Sequence, residues 1–460
     1  MQGYDDFMCL FRHAALIVLT SLLAMGQGPG IEGSWEGPVQ TGRGAVRLRV
    51  HVTRAADGSL AAKMDVPEQG AFGLPLSEVT FTNGRFHWEM TAINAGFDGQ
   101  MNEAGDEIAG TFLQGKEQPV TLKRTQAPSG RPQEPKPPLP YKSEDVTFPS
   151  KAEGVTMAGT LTVPPGKGPF PAVILITGSG PQDRDEALMG HKPFLVLSDY
   201  LTRHGIAVLR YDDRGVGQST GKFAGSTTTD FSRDAEGALD YLRKRPELNA
   251  ARIGLVGHSE GGIVAPMVAA RRPEVAFVVL MAGTGVPGQA VMLLQAARIN
   301  AASGVSKEVS DRNADYQAKI FAVLAEEKDD AAAETKLKAV LAGIPGAESQ
   351  ARGFASAWMR EFAFYDPAPT LQKLRCPVLV LNGEKDLQVI ADQNVPPIEA
   401  ALKKGGNKDF RIVRLPGLNH LFQTAQTGLV QEYGQIDETL APVFLETITT
   451  WIRRHTGLEK

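Results

Sequence analysis

The sequence contains four short motifs whose side chains could together carry out nucleophilic catalysis. The first, GLVGHSEGG at residues 254–262, places Ser259 between two glycines in a Gly-x-Ser-x-Gly pattern. A serine hydroxyl is too weakly acidic to attack an ester unaided, so it needs a base and an acid that orients the base. The pattern predicts Ser259 as a nucleophile, provided that such partners and a sharp strand-to-helix turn accompany it.

The second motif supplies the base. Two of the eight histidines, His420 and His455, lie beyond Ser259. His420 ends the sequence PGLNH directly after an apolar run, where a loop can reach over the end of a sheet, whereas His455 follows two arginines in a predicted helix. We therefore predict His420 as the general base. His258, next to the nucleophile, is predicted to pack beneath the turn.

The third motif, NGEKD at 382–386, follows another apolar run and offers the acid. Asp386 is our prediction for the carboxylate that orients His420, with Glu384 as its competitor and Asp392 as a more distant one. In hydrolases with this type of serine turn the three groups follow in the order serine, acid, histidine. The sequence meets that order.

The fourth motif, TGSGPQDRD at 177–185, contains glycines that let the chain turn backbone N–H groups inward. We predict that the N–H groups of Ser179 and Glu260 form an oxyanion hole, with Gly180 as the alternative to Ser179. Because only the backbone of Glu260 is needed for this role, its side chain is expected to be more replaceable than those of its neighbours. A phosphate-binding loop is excluded because no Gly-Lys-Ser/Thr follows.

Apolar runs predict the elements that must position these motifs. Such runs lie at 172–177, 206–211, 253–257, 277–281, 378–381 and 410–415. They alternate with helical patterns, as expected for a doubly wound α/β domain with a parallel sheet, here predicted over 142–460. Residues 289–374 lack a strand pattern and are rich in helix formers, which predicts a helical cap over the carboxyl edge of the sheet.

A different pattern precedes this domain. Residues 27–125 show two-residue alternation and hairpin turn signals, which predict a small all-β barrel or sandwich. Six prolines within 126–141 predict a stiff linker. The apolar run 14–25 predicts a signal peptide over 1–26, and hence export to the periplasm or medium with no membrane span in the mature chain.

Composition narrows the function classes. The net charge of -4 gives no electrostatic footprint for nucleic acid. Cys9 falls in the predicted signal peptide, so Cys376 has no disulfide partner, and we expect it to be buried. His51 and His87 fall on outward strand positions without a metal-ligand spacing, so they are predicted to be solvated and no metal site is expected. The chemistry predicted for Ser259 requires no cofactor.

Long stretches of the predicted α/β domain resemble a known family. The sequences ITGSGPQDRDE, GHKPFLVLSDYLTRHGIAVLRYDDRGVGQSTG, GHSEGG, NGEKD and PGLNH together resemble the EstD-like bacterial carboxylesterases, within the serine aminopeptidase-like (S33-type) group. The resemblance covers about 145–455 and implies an α/β-hydrolase fold, short-chain acyl ester substrates and a triad of Ser259, Asp386 and His420. One departure is that the oxyanion loop begins Thr177-Gly178, where many lipases have His-Gly.

Two other kinds of function are alternatives to an esterase. An aminopeptidase, another peptidase or a thioesterase could use the same triad; an aminopeptidase would need cap carboxylates for the substrate amine, and Glu361 and Asp366 are available. The front segment lacks the repeat of about 40 to 45 residues that marks the propeller of prolyl-type peptidases. A non-catalytic ligand-binding protein is the more remote alternative, because it would leave a complete catalytic set unused.

Overall fold

The computed structural model of this protein describes residues 30–41, 44–55, 57–66, 71–125, 131–344 and 346–459. The predicted signal peptide lies outside the described residues, as does the first part of the predicted linker, residues 126–130. Within the described part of the chain the strands form two sheets, one antiparallel and one mixed.

The first sheet contains the following strands: β1 (Gly33–Thr41), β2 (Gly44–Arg54), β3 (Leu60–Val66), β4 (Ala71–Pro75), β5 (Ser77–Thr82), β6 (Arg85–Met90), β7 (Ala95–Met101), β8 (Glu107–Gln114) and β9 (Lys116–Thr125). Their order is β4-β3-β2-β1-β9-β8-β7-β6-β5. The two end strands are separated by Leu76 alone, and its N–H donates to the Ala62 carbonyl in β3 (3.0 Å). The sheet therefore curls on itself around a core that contains Trp35 and Trp88, as in a barrel.

The second sheet contains the following strands: β10 (Lys142–Pro149), β11 (Thr156–Val163), β12 (Phe170–Ile176), β13 (Ala207–Tyr211), β14 (Leu248–His258), β15 (Val278–Met281), β16 (Val378–Gly383) and β17 (Phe410–Leu415). Their order is β10-β11-β13-β12-β14-β15-β16-β17. Strands β12 to β17 run parallel, and β10 and β11 add an antiparallel edge. Each of the six predicted runs falls on one of the parallel strands.

The helices of the described residues are α1 (Pro193–Arg203), α2 (Thr228–Leu242), α3 (Gly261–Arg271), α4 (Gly288–Ala302), α5 (Lys307–Glu326), α6 (Asp330–Val340), α7 (Ala347–Phe354), α8 (Ala357–Phe364), α9 (Ala368–Leu371), α10 (Ala391–Lys404), α11 (Val430–Tyr433) and α12 (Pro442–His455). A short 3-10 turn covers Thr91–Ile93. The second sheet packs α2, α3 and α10 on one face and α1 and α12 on the other. Helices α4 to α9 fill the strand-free segment between β15 and β16. The predicted α/β fold with a helical insertion behind an all-β domain is confirmed.

No helix in the described residues combines the length and the apolar character needed to cross a membrane.

One buried histidine makes the stability of the second domain dependent on pH. His191 is fully buried, and its Nε2 lies 2.9 Å from the Tyr433 carbonyl oxygen and its Nδ1 2.9 Å from Thr439 Oγ1. Burial lowers the pKa of His191 to about 4, from its ordinary value of 6.5. Between pH 6.5 and pH 4, His191 is protonated in the unfolded chain but stays neutral in the folded chain. The free energy of unfolding therefore falls as the pH is lowered from 6.5 towards 4.

We expect His191→Gln to weaken this dependence. Since each pKa unit corresponds to 1.36 kcal/mol, the wild type should lose about 2 to 3 kcal/mol more unfolding free energy than the variant between neutral pH and about pH 4.5. Urea titrations of both proteins at the two pH values measure this difference. Equal losses would show that His191 does not bind the proton on unfolding.

Candidate active site

Ser259 occupies a sharp turn between β14 and α3. Its φ of 52° is a left-handed conformation that a non-glycine residue adopts at a cost, and its N–H donates to the Met281 carbonyl (2.8 Å). A Cβ at Gly257 would lie 1.9 Å from the Gly261 oxygen, and one at Gly261 would lie 2.2 Å from the Ile176 oxygen. Glycine is therefore required on both sides, as the sequence pattern predicts. The turn leaves Ser259 half-buried at the carboxyl edge of the sheet.

Asp386 and His420 are brought together by the loops that follow β16 and β17. Asp386 Oδ2 lies 2.8 Å from His420 Nδ1, and the Asp386 side chain is completely buried. Its other oxygen, Oδ1, accepts the N–H groups of Gln388 and Val389, both at 2.8 Å. These contacts fix the carboxylate as an acceptor, so Nδ1 of His420 carries the hydrogen and Nε2 is left with the lone pair of a base.

The competing acids are directed elsewhere. Glu384 and Asp392 both pair with Arg414, at 3.5 Å and 2.8 Å, and all three side chains are well exposed to solvent. His455 lies at the end of α12, where its Nδ1 is 2.8 Å from the Trp451 carbonyl oxygen. Among the candidate acids and histidines that the sequence offers, Asp386 and His420 are the two that the structure brings into contact.

The His420 loop lies against the serine turn through His258. The rings of His258 and His420 have centroids 4.8 Å apart, and His258 directly precedes Ser259. Among the described residues the Ser259 hydroxyl has no hydrogen-bond partner, His420 included. Catalytic hydrogen bonds are often long in the absence of substrate and shorten in its complex.

The loop after β12 is the candidate oxyanion loop, and it passes close to Ser259. A Cβ at Gly178 would lie 3.2 Å from the Ser259 Cβ. The Gly178 N–H is already engaged, because it donates to Glu186 Oε1 at 2.8 Å. The N–H groups of Ser179, Gly180 and Glu260 donate to no other residue in the described part of the chain, so both predicted pairs have their donors free.

Asp213 holds this loop at both ends, a role that the sequence motifs do not predict. Its Oδ1 accepts from the Thr177 hydroxyl at 2.8 Å, and its Oδ2 accepts from the Gln182 N–H at 2.9 Å. Burial, with the negative charges of Glu260 and Glu186 nearby, raises the pKa of Asp213 to about 8. Because Asp213 follows a different strand, only the fold could show that it lies under the loop.

The Glu260 side chain is a structural group, and the expectation that it is replaceable is wrong. It is 2% exposed, and its Oε1 accepts from the Thr228 hydroxyl (2.6 Å) and from the indole N–H of Trp358 in α8 (2.9 Å). Burial raises the pKa of this carboxyl above its usual range. Replacing it would leave buried donors without an acceptor, which costs about 1 to 3 kcal/mol for each group.

The two cap carboxylates considered for binding a substrate amine already have partners. Glu361 Oε1 accepts from the Thr229 N–H (3.0 Å) and from its hydroxyl (2.5 Å), at the start of α2. Asp366 Oδ1 accepts from the Ala368 N–H at 3.0 Å. Glu361 thus fastens the cap to the sheet domain, beside the contact of Trp358 with Glu260.

The histidines of the first domain and the cysteine lie away from this site. His51 is hydrogen-bonded to Ser34 and Asp65 rather than solvated, which corrects the prediction for this residue. His87 lies with Glu78 and Glu89 on the sheet surface, in a group whose potential metal-ligand atoms lie within 4.8 Å of one another. Cys376 is half-buried, and burial raises the pKa of its thiol to about 11, so it is a poor nucleophile.

The sheet order is that of an α/β-hydrolase. Ser259 lies on the turn after β14, and the Asp386 and His420 loops follow β16 and β17. The family model described as serine aminopeptidase, S33, matches residues 193–424, about half of the chain. The chain belongs to this family, and the family resemblance predicted from the motifs is confirmed.

The chain is similar to several characterised hydrolases. Esterase EstD of Thermotoga maritima is 29% identical over 266 residues, which make up 58% of this chain and 58% of that esterase. A bifunctional esterase/perhydrolase of Acinetobacter calcoaceticus is 25% identical over 51% of this chain and 82% of its own. A Pyrococcus furiosus esterase structure covers 70% of this chain and 92% of its own, at 16% identity and a TM-score of 0.45.

Proposed function

We propose that this protein is a serine carboxylesterase that hydrolyses short-chain acyl esters with Ser259, His420 and Asp386. The observation that carries the proposal is the 2.8 Å contact between Asp386 Oδ2 and His420 Nδ1 at the sheet edge where Ser259 occupies its turn. The named activity of the Thermotoga and Acinetobacter relatives supports esters as substrates. Short acyl chains are the substrate class that the EstD-like motifs imply.

In the proposed mechanism the acyl group is first transferred to the enzyme. Ser259 Oγ attacks the ester carbonyl carbon while His420 Nε2 takes its proton, and buried Asp386 stabilises the resulting imidazolium. The tetrahedral oxyanion is held by the N–H of Glu260 and by that of Ser179 or Gly180. His420 then gives the proton to the leaving alcohol oxygen, which leaves an acyl-enzyme on Ser259.

Water completes the cycle. It takes the place of the alcohol, gives a proton to His420 Nε2 and attacks the acyl carbon, and the same N–H groups hold the second oxyanion. Collapse of this intermediate returns the proton to Ser259 and releases the carboxylic acid. No step calls for a group from outside the chain other than ester and water.

Two observations favour an ester over a peptide as substrate. The two cap carboxylates considered for binding a free amine already accept hydrogen bonds within the chain, Glu361 from Thr229 and Asp366 from Ala368. The two relatives that are named as esterases match 51% and 58% of the chain. By comparison, acyl-coenzyme A thioesterase 2 of Mus musculus matches 22%, so a thioester is also the less favoured substrate. Peptidase and thioesterase activities are therefore outcomes to be tested rather than our proposal.

We expect the purified protein to hydrolyse p-nitrophenyl butyrate with a kcat/KM at least roughly a hundredfold above that for p-nitrophenyl palmitate or for aminoacyl p-nitroanilides, a preference of about 3 kcal/mol. The release of p-nitrophenol and of p-nitroaniline measures the three reactions, and a butyryl thioester provides the fourth. Turnover confined to the anilides would overturn the proposal in favour of a peptidase, and turnover confined to the thioester would favour a thioesterase.

A further inference from the structure

Glu186 and His258 form a buried pair at the place where three loops of the proposed active site meet. Glu186 is 3% and His258 is 5% exposed, and Glu186 Oε1 lies 2.9 Å from His258 Nδ1. The same oxygen accepts from the Gly178 N–H at 2.8 Å, in the oxyanion loop. The other ring nitrogen, His258 Nε2, lies 3.0 Å from the main-chain carbonyl oxygen of His420.

These contacts determine how many protons the pair holds. A carbonyl oxygen can only accept, so His258 Nε2 must carry a hydrogen that it donates to His420. With Nε2 protonated, Nδ1 and the carboxylate oxygen would face each other with lone pairs unless a second proton lies between them. The pair therefore holds one proton more than a neutral imidazole and a carboxylate, as an imidazolium–carboxylate pair does.

Local backbone geometry points to the same region. Four residues of these three loops have a positive φ although they are not glycine: Glu186 (51°), Met189 (50°), Ser259 (52°) and Phe422 (60°). Each such conformation costs about 1 to 3 kcal/mol and persists only where its surroundings hold it. Glu186 thus shares with the nucleophile a conformation that needs support from its contacts.

We propose that Glu186 and His258 are positioning residues that hold the oxyanion loop and the His420 loop in fixed positions relative to the Ser259 turn. The inference rests on the proposed triad. One carboxylate oxygen fixes the Gly178 N–H, so the N–H groups that follow it face the nucleophile. The imidazolium fixes the carbonyl of His420, so the base remains over the turn. Neither residue touches the substrate in this role.

The positioning of the two loops should depend on pH, because it relies on the proton that this pair holds. The charged groups that face His258 are Glu186 from the loop after β12, Asp386 from the loop after β16 and His420 from the loop after β17. Burial alone would lower the pKa of His258, but the carboxylate of Glu186, the hydrogen bond to the His420 carbonyl and the charge of Asp386 together raise the pKa above its ordinary value. At alkaline pH the proton is lost, one of the two ring hydrogen bonds must break, and kcat should fall.

The test replaces the carboxylate with its amide. In Glu186→Gln the negative charge that contacts the imidazolium is removed, so the pKa of His258 falls. We expect kcat for p-nitrophenyl butyrate at neutral pH to drop roughly ten- to hundredfold with little change in KM, the size of effect that a small displacement of catalytic groups produces. The alkaline limb of the kcat–pH profile should move to lower pH. Rates are expressed per site labelled by a fluorophosphonate, so that unfolded molecules do not count.

Two further variants make the test decisive. Asp65→Asn breaks a contact of the same kind, His51 Nε2 to Asp65 Oδ2 at 2.8 Å, in the first domain, and should leave kcat and its pH profile unchanged. In His258→Gln the imidazolium that contacts Glu186 and the His420 carbonyl is absent, so turnover should also be slower. The double variant should be about as slow as either single variant, because the two residues act as a unit.

The outcomes separate this inference from the proposed function. A wild type without esterase activity and without fluorophosphonate labelling would overturn the proposed function. An active wild type whose Glu186→Gln variant keeps the wild-type kcat per labelled site and the same alkaline limb would overturn the positioning role alone. Multiplicative effects of the two substitutions would also overturn it, because they would show that the residues act independently.

Discussion

Ser259→Ala is expected to lower kcat for p-nitrophenyl butyrate by roughly 10³-fold or more, with KM nearly unchanged. The substitution removes the attacking oxygen but leaves the turn, the Glu260 N–H and the His420–Asp386 contact in place, so substrate should still bind. The remaining rate would come from the oxyanion donors and from substrate positioning alone. Initial rates over a range of substrate concentrations separate kcat from KM.

A matched serine controls for the loss of a hydroxyl. Ser349 is exposed in α7 of the cap, and Ser349→Ala should keep the wild-type rate. Fluorophosphonate should label the wild type and Ser349→Ala and leave Ser259→Ala unlabelled. Equal labelling of all three proteins would show that another residue is the nucleophile.

Asp386→Asn is expected to lower kcat by roughly 10³-fold or more. An amide can present its NH₂ to His420 Nδ1, which would then accept, so the hydrogen would move to Nε2 and the base would lose the lone pair that it needs. The buried position of Asp386 adds to the effect, because solvent cannot stabilise the His420 imidazolium in place of the lost carboxylate. A kcat measurement at the pH optimum of the wild type tests this expectation.

Glu384→Gln is the matched control for the acid. It lies two residues from Asp386 in the same loop, but its side chain is exposed and pairs with Arg414, so activity should stay within about twofold of the wild type. The triple variant of Ser259, Asp386 and His420 should be no slower than Ser259→Ala, since the three groups act as one unit. An inactive Glu384→Gln beside a fully active Asp386→Asn would reverse the assignment of the acid.

The part of the fold that the sequence predicts well is the part with a strong local signal. Runs such as 253–257 and 378–381 are apolar on both faces, and buried parallel strands require that pattern. Strand β10 begins with four polar residues, Lys142 to Asp145, and lies at the sheet edge, so it shows no such run. Its neighbour β11 is buried from Met157 onwards but contains Thr and Gly, which weaken the apolar pattern.

In the candidate site, the sequence predicts the proposed catalytic residues, which lie just after the ends of strands. Ser259, Asp386 and His420 each follow an apolar run, and their chain order has few alternatives. The supporting residues, among them Glu186 and Asp213, are recognisable only by what they contact across the fold. The same limit explains the wrong expectation for the Glu260 side chain, whose partner Trp358 lies 98 residues further along the chain.

The hydrogen bonds from α8 have a consequence for transplanting caps between related enzymes. Trp358 donates to the residue beside the nucleophile, and Glu361, one turn later in the helix, accepts from the start of α2. In a chimera whose foreign cap has no indole at the position of Trp358, the Glu260 carboxyl loses one of its hydrogen-bond donors. This loss occurs directly beside Ser259. Exchanging caps to change substrate preference would therefore also alter turnover unless this helix is retained.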